Sequence, residues 1–114
     1  MRQLRLVLAT ILLVIVGYTI PVVVNHGLGL FPIFFGDIAE MGWPGQFNLD
    51  FLGFLTLSAL WIAWRNNFSS KGLFLGVLGF FLGAPFLAAY LLYVSRKSGD
   101  DYSLLFLGPV RVTR

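Results

Sequence analysis

The chain has 114 residues, of which 58% are hydrophobic and only 11% are charged. A soluble globular domain carries roughly 25% charged residues, so this balance excludes water as the main solvent of the folded chain. The formal net charge of +3 comes from eight Lys and Arg against five acids. These basic residues flank apolar runs and form no aromatic-interleaved patch, which excludes a nucleic-acid-binding protein.

The sequence contains no cysteine. Disulfides, thiolate metal sites, cysteine nucleophiles and palmitoylation are therefore excluded. Ser and Thr residues show no His and acid at a spacing typical of a catalytic triad, and no glycine-rich phosphate loop is present. We therefore expect a protein that is not an enzyme, and these motifs leave its cofactors unknown.

The first apolar run extends from Leu6 to Val24 and follows two arginines. Its length matches a hydrocarbon core of roughly 30 Å at about 1.5 Å per residue. The run is longer than the roughly 7–15 apolar residues of a signal peptide, and no small-residue cleavage site follows it. It therefore predicts an uncleaved membrane anchor. Pro21, like Pro85 further along, predicts a local kink or a free carbonyl.

A long first loop, residues 27–48, is rich in Gly, Pro and aromatic residues and contains no Lys or Arg. Its stretch from Pro32 to Met41 predicts a short helix with its acids on one side and its apolar residues on the other. That helix is too short to cross a bilayer, and Trp43 suits the depth of the headgroups. We therefore expect an interfacial helix.

Two further apolar runs extend from about Leu49 to Trp64 and from Gly72 to Val94. A polar turn with Ser70 as helix cap separates them, and a pair of basic residues ends the second. The pattern predicts an all-α integral membrane protein that forms a single domain over 1–114. Its three transmembrane helices are about 6–24, 49–64 and 72–94, followed by a tail over 95–114 with an apolar patch too short to cross.

Three crossings place four basic residues on each side of the membrane. One side holds Arg2, Arg5, Arg65 and Lys71, and the other holds Arg96, Lys97, Arg111 and Arg114. Because the first helix usually dominates orientation, we expect the inner cell membrane with a cytoplasmic N-terminus and with the first loop and tail outside.

Four glycines in the third run recur at helical spacing and form a bare stripe: Gly72, Gly76, Gly79 and Gly83. Ala59 and Ala63 offer a matching small pair in the second run. Small residues spaced in this way are typical of membrane helices that pack closely. The stripe predicts a packing surface, either for the chain's own helices or for another subunit.

Ionisable residues collect near the first loop: His26, Asp37, Glu40 and Asp50. If the loop folds back, they could converge on a proton or cation site, since charges within a membrane are usually functional. His26 could alternatively ligate haem or chlorophyll, or the group could simply be a hydrated face. We expect Asp50 to face protein or water rather than lipid.

Residues Asn48 to Arg96 carry Asp50 at the start of one apolar run, Trp64-Arg65 at its end, Gly83-Ala84-Pro85-Phe86, Tyr90-Leu91 and Arg96. In these features the chain resembles a bacterial family of small multi-pass membrane proteins of uncharacterised function. The resemblance implies the membrane fold, and it transfers no active site. The acid expected directly after Trp64-Arg65 is Asn66 here.

The leading expectation is a non-catalytic accessory or scaffold subunit of a larger membrane assembly. Its partners would be the lipid bilayer and other membrane subunits or copies of itself, contacted through the glycine stripe and the many Phe residues. An oligomeric small-solute or ion transporter is the first alternative, and it would need polar groups that face a common pore. A pigment- or haem-binding membrane protein is the second.

Overall fold

The computed structural model describes residues 1–112, so Thr113 and Arg114, which belong to the predicted tail, lie outside the described residues. That part is all-helical. Its helices are α1 (Arg2–His26), α2 (Leu30–Ala39), α3 (Trp43–Arg65), α4 (Ser70–Leu82), α5 (Ala84–Ser98) and α6 (Tyr102–Leu107).

Two helices, α1 and α3, are long and apolar enough to cross a membrane. Only 6% and 11% of their most apolar stretches are buried inside the fold, whereas the core helix of a soluble domain is buried on its apolar face. Helix α1 continues through Pro21 without a break. Most apolar side chains of both helices therefore face outward, apart from a few such as Leu8 and Ile62.

Helix α2 is the short helix predicted in the first loop, although it begins and ends two residues earlier than expected. It packs on the start of α3, where the backbone of Asp37 lies against the bare Cα of Gly45. The Asn48 side-chain amide donates to the carbonyl of Phe34 at 3.1 Å. A Cβ at residue 45 would collide with the α2 backbone, so glycine permits this close approach.

Residues 72–94 form two helices, and the prediction of one continuous helix there is wrong. Gly83 ends α4 and begins α5 with φ 73° and ψ −148°, a backbone conformation available almost only to glycine. Pro85 then occupies the first turn of α5, where its missing N–H costs nothing. A glycine in a non-helical conformation followed by a helix-starting proline is the physical reason for the break.

Helix α5 turns back beside α1 and runs antiparallel to it. The Arg5 guanidinium at the start of α1 donates to the Ser95 hydroxyl at 3.1 Å and to the Ser95 carbonyl at 2.9 Å. A further bond reaches the carbonyl of Gly99 at 3.3 Å. The start of the tail therefore lies beside the start of α1, and the expectation that three crossings separate them is not supported.

A tight turn joins α3 to α4, as the polar residues between the two runs predict. The side chain that caps α4 is Ser69, whose hydroxyl accepts from the Gly72 amide at 3.1 Å. The predicted cap, Ser70, is instead the first residue of the helix. The error is one residue and leaves the turn in its predicted place.

The glycine stripe of α4 lies against α3. A Cβ on Gly76 would be 2.9 Å from the Ala59 carbonyl oxygen, and a Cβ on Gly72 would be 3.4 Å from the Ala63 carbonyl oxygen. Gly79 faces the side chain of Ile62. Because the chain's own helix covers these glycines, they are not available to a partner in this structure.

Helix α6 closes the end of the bundle at which α1 begins and α3 and α5 end. Its Leu105 is fully buried with Ile62, Tyr90 and Val94. This small core holds the tail against the helix ends. The sequence leaves open whether the apolar patch of the tail docks on a partner, lies on the bilayer or pairs as a strand; in the structure it is a helix packed on the chain's own core.

Candidate functional site at the basic end

All seven Lys and Arg residues of the described part lie at one end of the molecule, which we call the basic end. They are Arg2, Arg5, Arg65, Lys71, Arg96, Lys97 and Arg111. The return of α5 brings the second group beside the first: Arg2, Arg5 and Arg96 line one cavity, and Arg65, Lys71 and Lys97 line another. Arg111 reaches the last turn of α3, where it donates to the Trp64 carbonyl.

Arg65 is the buried charge of the basic end, with a relative exposure of 6%. Its guanidinium donates to the carbonyls of Leu105 at 2.6 Å and Leu104 at 3.2 Å. It also donates to the Tyr90 hydroxyl at 3.3 Å. These acceptors compensate the cost of removing the charge from water.

The carbonyls that Arg65 binds belong to the last turn of α6, which has no intrahelical donors for most of them. Trp61, one turn earlier on α3, donates from its indole to the next carbonyl, that of Phe106, at 3.1 Å. A cation near a helix C-terminus is also favoured by the helix dipole. Trp61 and Arg65 together therefore cap α6 and fix it across the helix ends.

Tyr90 connects α5 to the end of α3. Its hydroxyl accepts from the Asn66 side-chain amide at 2.8 Å as well as from Arg65, and its ring meets that of Trp61 edge-on with centroids 6.0 Å apart. Asn66 thus supplies a hydrogen bond that a carboxylate at this position could not donate.

A cavity of about 430 Å³ opens beside this network between α3, α4, α5 and the tail. We call it the lysine pocket, because the exposed residues Lys71 and Lys97 lie at its rim. Tyr93 lines it between them, and Leu75 and Val94 form an apolar wall. Among the described residues that line it there is no acid.

Tyr93 is exposed and lies near the end of α5, outside the two long apolar helices. Hydrogen bonding to Lys97 lowers the pKa of its hydroxyl, and the positive charges of Lys97 and Lys71 lower it further. The ammonium group of Lys97 also lies 4.8 Å from the centre of its ring. Lys71 and Lys97 line the same cavity as Tyr93, and two positive charges in one cavity would stabilise an anion there.

A second cavity of about 610 Å³ lies on the other side of Tyr93, between α1 and α5. Its cations are Arg2, Arg5 and Arg96. Arg5 is committed to the carbonyls of Ser95 and Gly99. The basic end thus offers two neighbouring cationic cavities, of which the lysine pocket is the one walled by four segments of the chain.

The ionisable residues predicted as a ligand or proton site lie toward the opposite end. Asp37 is half-buried on α2, whereas His26, Glu40 and Asp50 are exposed. Within residues 1–112 no hydrogen bond or ion pair joins any two of them, and no group of three His, Asp or Glu is close enough to hold a metal ion. The structure therefore does not bring these four residues together.

The basic end does not follow from the apolar runs alone, because three crossings would place Arg96 and Lys97 on the side of the membrane opposite Arg2 and Arg5. The sequence does contain a signal for the reversal, since Gly83 followed two residues later by Pro85 is typical of one helix ending and another beginning.

No family model, curated protein or solved structure matches this chain.

Proposed function

We propose that this chain is a multi-pass membrane protein that crosses the bilayer with α1 and α3, with α4 and α5 dipping into it as a re-entrant hairpin. The outward-facing apolar side chains of α1 and α3 support this location. The concentration of basic residues at one end supports a cytoplasmic basic end, because cytoplasmic segments carry the excess of Lys and Arg. Both the start of α1 and the start of the tail would then be cytoplasmic.

In this membrane we propose a non-catalytic accessory subunit that assembles with other membrane proteins. The observation that carries the proposal is the position of Gly83, the tip of the hairpin. It lies beside Phe51 and Leu55 of α3, about one α4 length, or about 20 Å, from the basic end. In a hydrocarbon core of roughly 30 Å, that depth is still inside the apolar region.

At that depth, the backbone carbonyls at the end of a broken helix must be shielded from lipid. The last carbonyls of α4, those of Phe80, Phe81 and Leu82, accept no hydrogen bond from another segment among residues 1–112. The side chains of Phe81 and Leu82 are 63% and 57% exposed. In a bilayer, non-helical backbone is tolerated only where protein covers it or where it lines water. A partner subunit packed on the hairpin tip meets this requirement. The glycine stripe cannot be the partner's contact surface, because α3 already packs against it.

Photo-crosslinking at the tip tests the proposal. A photoreactive amino acid replaces Leu82 in the protein expressed in native membranes, and Phe74, which is exposed on the body of α4, serves as the matched control. We expect residue 82 to crosslink to protein and residue 74 to crosslink to lipid. Lipid adducts alone at both positions would contradict the accessory-subunit proposal.

The same tip distinguishes a transporter. Because the chain has no native cysteine, Leu82→Cys introduces a single thiol there. A subunit covered by a partner leaves this thiol unreactive toward a membrane-impermeant maleimide in intact membranes. Rapid labelling from the aqueous phase would instead support a water-lined path and the transporter alternative.

A further inference from the structure

The lysine pocket combines two zones that differ in chemistry. At its rim, Lys71 and Lys97 lie with Tyr93, whose ring centre is 4.8 Å from the Lys97 ammonium group. One turn further along α4, Leu75 begins an apolar wall that continues with Val94. The proposed membrane orientation makes the rim the headgroup level and the wall the start of the acyl region.

Both acids of the basic end that the structure describes make contacts of their own. Asp100 pairs with the amino group of Met1 at 3.5 Å. Asp101 accepts from the Leu104 amide at 3.1 Å as the cap of α6. Neither lines the pocket, so within residues 1–112 the two ammonium groups share the pocket with no carboxylate in its lining.

We propose that the lysine pocket binds the phosphate of an anionic phospholipid, with the lipid's acyl chain along Leu75 and Val94. Basic pockets between helices on the cytoplasmic side suit anionic headgroups, and each nearby Lys or Arg contributes attraction. The hydroxyl of Tyr93 adds a hydrogen-bonding group beside the two ammonium groups. A soluble phosphate would use the rim but would leave the apolar wall uncovered, which favours the lipid.

The inference rests on the proposed membrane location and orientation but not on a partner subunit. It is therefore tested on the purified, delipidated full chain in a neutral detergent. Native mass spectrometry measures binding of dioleoyl phosphatidylglycerol, dioleoyl phosphatidylcholine and glycerol phosphate. The variant Lys71→Gln with Lys97→Gln is compared with Arg2→Gln with Arg96→Gln, which removes the same charge from the neighbouring cavity.

We expect phosphatidylglycerol to bind more tightly than phosphatidylcholine. The lysine variant should bind phosphatidylglycerol about 30-fold more weakly, from about tenfold per 1.4 kcal/mol and about 1 kcal/mol per cation. The arginine variant should lose much less. If the double lysine variant does not fold by circular dichroism, the two single variants replace it, each with an expected loss of about fivefold.

Three outcomes would overturn the inference. Equal losses in the two double variants would mean that diffuse charge, and not this pocket, attracts the lipid. Equal binding of phosphatidylcholine and phosphatidylglycerol would exclude a site for anionic lipid. Glycerol phosphate binding as tightly as phosphatidylglycerol would identify a soluble anion as the ligand. None of these results bears on the crosslinks at Leu82, so failure of the lipid site and failure of the accessory-subunit proposal can be told apart.

Discussion

Replacement of Gly76 by alanine tests the packing of α4 on α3. A Cβ there would be 2.9 Å from the Ala59 carbonyl oxygen, while ordinary contact begins at 3.4 Å, so the backbones must separate by about 0.5 Å (3.4 − 2.9). No side-chain rotation can relieve this contact, because the obstructing atom belongs to the backbone. Overpacking of this kind costs typically about 1–3 kcal/mol.

Gly53→Ala is the matched control, because residue 53 lies inside α3 with nothing within 4 Å of its Cβ position. Both substitutions gain the same helix propensity, about 1 kcal/mol, and this gain cancels in the comparison. The unfolding free energy of Gly76→Ala should therefore be about 1–3 kcal/mol below that of Gly53→Ala.

The comparison is made by titrating the protein with sodium dodecyl sulfate in mixed micelles and following tryptophan fluorescence, since Trp61 packs against Tyr90 and Phe106. A difference of less than about 0.5 kcal/mol between the unfolding free energies of the two variants would refute close α3–α4 packing. A further variant, Gly76→Leu, should reduce stability more than Phe74→Leu, because the ring of Phe74 is exposed on the opposite face.

Three further predictions address the ends of the molecule. Arg65→Gln should lower the unfolding free energy by about 1–3 kcal/mol, because it leaves the buried carbonyl of Leu105 unpaired. Hydrogen exchange in Tyr102–Leu107 should increase while that in α2 does not. Topology reporters fused in turn before residue 1 and after residue 114 should both report the cytoplasm. Reporters on opposite sides of the membrane would instead support three crossings. Asp50→Leu should leave the isolated chain at least as stable, since the carboxylate is exposed and makes no hydrogen bond or ion pair within residues 1–112. It should nevertheless reduce the fraction of the protein retained in the native assembly, as measured by sucrose-gradient sedimentation. An unchanged fraction would place Asp50 outside the interface.

The sequence by itself determined the helical content, the two long apolar helices and the short helix in the first loop. These features depend on neighbouring residues along the chain: the length of an apolar run, its periodicity and its flanking polar residues. The pairing of the α4 glycines with Ala59 and Ala63 was also within reach, because small residues at helical spacing predict a close approach wherever two helices meet.

Only the tertiary structure decided that α5 returns to the end at which α1 begins. The reversal depends on one backbone conformation, at Gly83, and on the bonds from Arg5 to Ser95 and Gly99. An apolar run has the same composition whether it crosses a bilayer or turns back within it, so its hydropathy cannot report a change of direction. The lysine pocket could not be predicted from the sequence for the same reason, since Lys71 and Lys97 become neighbours only when α5 runs antiparallel to α4.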